Sequence, residues 1–385
     1  MTQASVILIL GGGIGGVTAA RRLRKQLPVE HRVVLIERAE NFVFAPSFLW
    51  LMTGLRTAEK ISRPVAALAE LGIELVRGDI VSIDPARKSV RVGERELSGD
   101  HLIVALGAEL APETVPGLVE AGHNLYTLSG AQSLRDARLE VKAGRIVVLV
   151  AGVPFKCPAA PYEAAMLLEY DCRKRKLRER VQLDIYTPEP GPMATAGPEV
   201  SAALRGMVEG KGIGYHPLHA VTHVDAQARR ISFANGASAG YDLLVYVPPH
   251  RAPRVVRDAG LTGESGWIPV DKGTLATKFP EVYAIGDVAG IMLPNGKPLP
   301  KAGVIAHGEA DVVADNLVHK MTGRGAPRVF DGQGECFIET GDNQAGFGSG
   351  NFYAEPTPQI KLSGPNRMLH LGKIAFEKYW LFESF

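Results

Sequence analysis

Chemistry in this chain has to start from a few side chains. Three cysteines are present: Cys157, Cys172 and Cys336. An odd, small number does not build a structural disulfide framework. In a reducing compartment a disulfide is more often catalytic than structural. Cys157 lies in the run KCPAAPYE, six residues before Glu163. A carboxyl group at that spacing can trade protons with a thiol; a helix-start glutamate favoured by the helix dipole reads equally well. Cys172 sits in DCRKRK, among charges, and reads as a surface or structural thiol.

A second group is suited to phosphate. Gly11, Gly13 and Gly16 form G-x-G-x-x-G directly after an apolar run, and Glu37 follows 21 residues after Gly16. The first glycine permits a tight turn, the second lets backbone approach a pyrophosphate, and the third allows close helix-to-strand packing. The helix that follows offers amide donors and partial positive charge. Glu37 has the spacing of a carboxylate that accepts hydrogen bonds from ribose hydroxyls. By itself this turn suits FAD and a nicotinamide alike.

The elements that must position these residues follow from periodicity. Residues 5–10 read as a strand, 17–27 as a helix and 32–36 as a second strand. Helical spacing returns at 65–71. Short strands follow at 73–76, 79–83 and 89–92, and a buried strand over 101–108 ends at Gly107. A second strand-turn-helix covers 145–150 and 161–178, with a strand at 181–186. This repeats the opening plan about 140 residues later. The chain returns to the first unit at 282–289 and a helix near 304–321. The expected fold is α/β: two Rossmann-like dinucleotide-binding domains, the second inserted in the first, plus a small C-terminal α+β segment of short strands and an aromatic tail. The expected boundaries are 1–110 with 270–325, then 111–269 carrying Cys157, then 326–385 carrying Cys336.

The second unit lacks a nucleotide turn of its own. Residues 151–165 read AGVPFKCPAAPYEAA, in which only Gly152 remains. Pro154 removes an amide donor, and the turn presents a thiol instead. This speaks against a pyridine-nucleotide site. In the first unit, ALGA (105–108) and AIGDVA (284–289) resemble two flavin elements of the pyridine nucleotide-disulfide oxidoreductase superfamily, which implies FAD. Asp287 matches the carboxylate that binds the ribityl chain.

The segments VPFKCPAAPYEAA (153–165), LPKAGVIAHGEA (299–310), GECFIETG (334–341) and GKIAFEKYW (372–380) resemble the sulfide:quinone oxidoreductase family. They resemble equally the flavoprotein subunit of flavocytochrome c sulfide dehydrogenase. The resemblance covers essentially the whole chain. It implies a flavoprotein with Cys157 and Cys336 on one face of the flavin. Sulfide would attack their disulfide to form a persulfide and a thiolate, and electrons would pass through FAD to a quinone. Glu163 resembles the family's acid/base glutamate. Lys301 would place positive charge near the flavin, and Lys373 and Phe376 would line the quinone or acceptor site. Arg38, Pro46, Ala105, Gly107, Gly286 and Gly303 join the implied cofactor contacts. The match departs in two places. No third cysteine lies in 117–128, and the chain stops five residues after Trp380.

Bulk properties narrow the alternatives. The 385 residues carry a net charge of +2, which gives no reason to expect nucleic acid. No leader precedes residue 6 and no apolar run reaches about 18 residues. The expectation is a cytoplasmic protein whose apolar C-terminal residues suit a peripheral membrane contact, a homo-oligomeric contact or core packing alike, and no metal. The basic run 173–180 reads as a solvated helix face. Three other readings stay open: a cytochrome-coupled sulfide dehydrogenase subunit, an NADH:quinone reductase-like enzyme, and a non-catalytic redox-sensing flavoprotein.

Overall fold

The computed structural model describes residues 4–385. Strand β1 (Val6–Leu10) is an unbroken apolar run because both faces of its sheet are covered. Ile7 and Ile9 point into one core, Leu8 and Leu10 into another. Helix α1 (Ile14–Gln26) follows the glycine turn, then β2 (Arg32–Glu37), β3 (Glu74–Arg77) and β4 (His101–Val104).

The second unit repeats the plan with β5 (Gly144–Val150), α2 (Ala160–Lys174), β6 (Val181–Tyr186), β7 (Gly214–His216) and β8 (Leu243–Val247). Strand β9 (Val282–Ala284) returns to the first sheet and is followed by α3 (Gly303–Thr322). The first sheet is parallel throughout, in the order β9-β4-β1-β2-β3. The second is also parallel, with a short strand His123–Asn124 at one edge and then β8-β5-β6-β7. Its cores split by the same alternation: Ile146, Val148 and Val150 face one side, Val147 and Leu149 the other. In both sheets the first strand is central, so the loops after β1 and β5 open at the carboxyl edge, where such folds bind ligands.

The C-terminal segment is an antiparallel sheet of β10 (Gln333–Gly341), β11 (Gln344–Asn351) and β12 (Gln359–Asn366), then helix α4 (Arg367–Glu383). The expected aromatic tail is therefore a 17-residue helix. Its start is capped by the Asn366 side chain, which accepts the N–H of Leu369 at 2.9 Å. Gly372 hides the helical pattern in sequence; it lets the Phe337 ring pack where a Cβ would stand at 3.2 Å. Trp380 and Leu381 are buried in the core, while Met368 and Phe382 are exposed. Among the described residues no helix is long and apolar enough to cross a membrane.

Two local details differ from a plain helical reading. Residues 65–71 wind as a 3₁₀ helix between Pro64 and left-handed Gly72. The basic run at 173–180 is mostly exposed, as expected, but the helix ends at Lys174 and three of the run's arginines are held by partners. Arg173 pairs with Glu169 and Asp342, Arg175 with Asp171, and Arg178 donates to the carbonyls of Val181 and Gly212.

At the glycine turn, a Cβ on Gly16 would lie 1.8 Å from the Gly11 carbonyl oxygen, whereas one on Gly13 would meet nothing within 4 Å. Gly16→Ala is therefore expected to lower the stability of the cofactor-free protein by about 1–3 kcal/mol through forced backbone shift. Gly13→Ala should leave the cofactor-free Tm nearly unchanged. Thermal unfolding of the two variants checks the contrast.

Candidate active site

A cleft of about 870 Å³ runs from the glycine turn to Cys157. At one end lie Gly11 and Gly13 before the N-terminus of α1, which has no acidic residue in its first turn. Gly16 is not in the wall; it packs directly on Gly11. Glu37 turns its carboxylate back toward the turn, accepting the N–H of Gly12 at 2.5 Å and of Ala39 at 2.7 Å. Arg38 lines the rim, largely exposed, 3.6 Å from Asp79. Pro46, Ala105 and Gly107 form the middle of the wall, and Gly286, Asp287, Lys301 and Gly303 the far side. Sequence reasoning placed these residues from segments far apart, and all but Gly16 meet on this one surface.

The fit to a dinucleotide is local and steric. Gly13 leaves open space where a side chain would intrude, and the helix start offers unpaired amides to an anion. The second unit offers no such cradle. A Cβ on Gly152 would lie 3.1 Å from Pro249, and α2 carries Pro161 and Glu163 in its first turn. A carboxylate there repels phosphate.

The loop between β5 and α2 aims Cys157 instead. Cys157 has φ +48°, a left-handed conformation uncommon outside glycine. Its N–H donates to the Lys301 carbonyl at 2.6 Å, and its carbonyl accepts the Ala160 N–H at 2.9 Å and the Tyr126 hydroxyl at 3.3 Å. Lys156 pairs with Lys301 as an isolated parallel bridge. The thiol loop of one unit is thus stitched to the loop that precedes α3 of the other.

Cys336 comes from β10, opposite Gly348 of β11. Both cysteines are half-buried thiols. Burial pushes the Cys157 thiol well above its ordinary value, and the Cys336 sulfur and Glu163 carboxylate push it further, against the pull of the Lys373 cation. Cys336 is pushed up to about 12 by burial and then by Glu163, again opposed by Lys373. The Cys336 sulfur therefore acts on Cys157, and both thiols feel one charged pair, although of the two, Cys157 alone lines the cleft. Cys172 is 2% exposed inside the second core, so it is a structural thiol and not a surface one.

That charged pair is buried. Glu163 accepts the Lys373 ammonium at 2.8 Å and the Glu339 N–H at 2.7 Å. Burial alone would lower the Lys373 pKa, but the carboxylates of Glu163 and Glu339 outweigh it and raise it. Lys373 also lies 5.3 Å from the Trp50 ring centroid. Phe376, one turn on, packs 6.1 Å from Phe337, the neighbour of Cys336, and 6.1 Å from Phe44. Lys301 has its ammonium taken up by the carbonyls of Asp287 (2.5 Å) and Ala289 (3.1 Å), 3.5 Å from the Trp267 ring centroid.

Sequence reasoning missed several neighbours. Glu339 and His370 hydrogen-bond at 2.9 Å beside the Glu163–Lys373 pair. Tyr126 and Lys156 line the cleft next to Cys157. Only the spacing of His370, Lys373 and Glu377 along one helix could have pointed to the polar stripe on α4, and the expected α+β segment gave that helix no bounds.

Two parallel dinucleotide-fold units, one glycine turn and a pair of thiols define a flavin-dependent oxidoreductase of the disulfide type. The chain belongs to the pyridine nucleotide-disulphide oxidoreductase family, whose model matches residues 5–310, and it is an FAD-binding enzyme of that family. It is similar to the sulfide-quinone reductase of Aquifex aeolicus, 27% identical over 99% of this chain and 91% of that one. It is also similar to the mitochondrial sulfide:quinone oxidoreductase of Mus musculus, 24% identical over 91% of this chain and 79% of that one. The crystal structure of the Aquifex aeolicus sulfide:quinone oxidoreductase superposes with a TM-score of 0.89 at 24% identity, covering 99% of this chain and 91% of that one.

The buried pair yields a test. Lys373→Met leaves the Glu163 carboxylate without its cation and is expected to reduce stability by about 3–5 kcal/mol. Adding Glu163→Gln should recover most of the loss, as read by urea unfolding. The Lys373 value is raised above 10.5 in the folded protein, so its contribution is present below that value and is lost only as pH rises through the raised folded one.

Proposed function

We propose that this enzyme oxidises sulfide at Cys157 and Cys336 and passes the electrons through FAD to a quinone. The observation that carries the reading is that Cys157, in the wall of the dinucleotide cleft, and Cys336, from a distant segment, both feel the buried Glu163–Lys373 pair. The names of the similar proteins point the same way.

In the oxidised state the two cysteines form a disulfide. Hydrosulfide attacks one sulfur, a new S–S bond forms, the old one breaks, and the second cysteine leaves as a thiolate with the electron pair. Lys373, which favours the ionised form of both thiols, stabilises that thiolate. Glu163 holds Lys373 in place and is positioned to exchange a proton with the leaving or returning thiol. FAD, when bound, supplies a two-electron acceptor that can be reoxidised away from the sulfurs. Gly11, Gly13, Glu37, Arg38, Pro46, Ala105, Gly107, Gly286, Asp287, Lys301 and Gly303 would hold it, with Gly16 setting the turn. Phe376 and Lys373 lie on the Cys336 side, where an aromatic ring and a cation suit a quinone acceptor.

The reading predicts that anaerobic sulfide bleaches the flavin absorbance of the holoenzyme and that a soluble quinone restores it over many cycles. Cys157→Ala and Cys336→Ala should abolish the bleaching, and Glu163→Gln should slow it by about 10²-fold. Unchanged bleaching in either cysteine variant overturns the mechanism. Fast bleaching by NADH with none by sulfide would replace it with an NADH-dependent reaction.

A further inference from the structure

One buried carboxylate has no part in the sulfide chemistry. Glu309, on the second turn of α3, is 1% exposed. One of its oxygens accepts the N–H of Gly286 at 2.6 Å. Gly286 itself lines the cofactor cleft, as do its neighbour Asp287 and Lys301. Behind that wall lies a separate chamber of about 10 Å³, bounded by Gly286, Ala289, Lys301, Ala302, Ile305 and Glu309. That is room for about one water molecule. The chamber shares Gly286, Lys301 and Ala302 with the cleft. A buried carboxyl group and a water-sized space thus lie against Gly286, Lys301 and Ala302, residues that also line the cofactor cleft.

The charged and titratable groups that face Glu309 come from three elements. Asp287 follows β9, Lys301 precedes α3, and Tyr353 follows β11. Asp287 opposes ionisation of Glu309 and Lys301 favours it. Burial is the larger effect and raises Glu309 to about 8, while Lys301 is lowered to about 8. Both shifts bring the two groups close to neutral pH.

We propose that Glu309 is a redox-linked proton acceptor, which takes up a proton when an electron pair enters the cofactor cleft and so shapes the pH dependence of the flavin potential. The electron pair stays in the cleft. A solvent proton, passed through the chamber beside Lys301, forms an O–H bond on the Glu309 carboxylate; no bond of the protein breaks. Added negative charge nearby raises the proton affinity of a carboxylate, which fixes the direction of the coupling. Glu309 acts through the Gly286 N–H and the chamber, so it is a positioning residue. The proposal needs bound FAD but not sulfide or quinone.

The test is a potentiometric titration of the holoenzyme with chemical reductant and redox mediators at a series of pH values. In the wild type the plot of midpoint potential against pH should steepen above about pH 8, where the oxidised protein holds Glu309 as carboxylate. Glu309→Gln keeps an oxygen acceptor for Gly286 but cannot titrate, and it should lose that break while its sulfide-induced bleaching persists. A break that survives in Glu309→Gln overturns the proposal. Should the variant fail to retain FAD, the infrared redox difference spectrum of the wild type decides. Above about pH 8, a carboxylic-acid carbonyl band that appears on reduction and shifts in D₂O supports the proposal, and its absence there overturns it. Failure of sulfide to reduce the flavin would sink the functional reading and leave this result untouched.

Discussion

The site is organised by one buried ion pair. Glu163 stands at the start of α2, Lys373 on α4, and the Glu339 N–H that completes the Glu163 shell belongs to β10. Three segments from two parts of the chain therefore converge on a single carboxylate. Two charges at this depth are expensive to desolvate, and their mutual attraction offsets that only when geometry and hydrogen bonds are good. The N–H of Glu339 and the face of Trp50 complete that environment. Because the pair is unfavourable in any looser arrangement, it fixes where β10 sits against α2, and hence where Cys336 sits relative to Cys157.

The same constraint separates the two units by task. Both begin with an apolar strand, a loop and a helix, yet only the first keeps open space before its helix. In the second, Pro249 crowds Gly152 and a glutamate occupies the first helical turn. Phosphate has no place there, and the freed loop is used to carry sulfur. Loss of one ligand site and gain of the thiol site are one structural change.

Much of this was legible in the residues. The glycine turn is readable because its steric demands are local: Gly16 must lack a side chain to let Gly11 approach, whatever the rest of the chain does. The parallel sheets are readable because both faces are buried and the central strands β1 and β5 carry unbroken apolar runs. The cluster around Glu163 was only partly legible. Its helix-start position is visible, but its partner is 210 residues away, and no local pattern encodes that pairing. Glu309 was less visible still. In HGEA it looks like any solvent-facing helical glutamate; only the packing of α3 beneath Gly286 buries it. The C-terminal α+β segment was expected, but the bounds of its helix were not, because Gly372 interrupts the apolar stripe for the sake of the Phe337 ring.

The Cys157 loop is tied to Lys301 by a main-chain hydrogen bond and an isolated bridge. Lys301 in turn grips the carbonyls at 287 and 289. The sulfur-bearing loop and the far wall of the flavin groove are accordingly one mechanical body. A hinge motion that widened the groove to admit or shed the prosthetic group would pull the sulfur along with it, or would have to break this seam first. The enzyme has no easy way to loosen its hold on one without disturbing the other, so exchange of the prosthetic group is expected to be slow whenever the thiol end is intact.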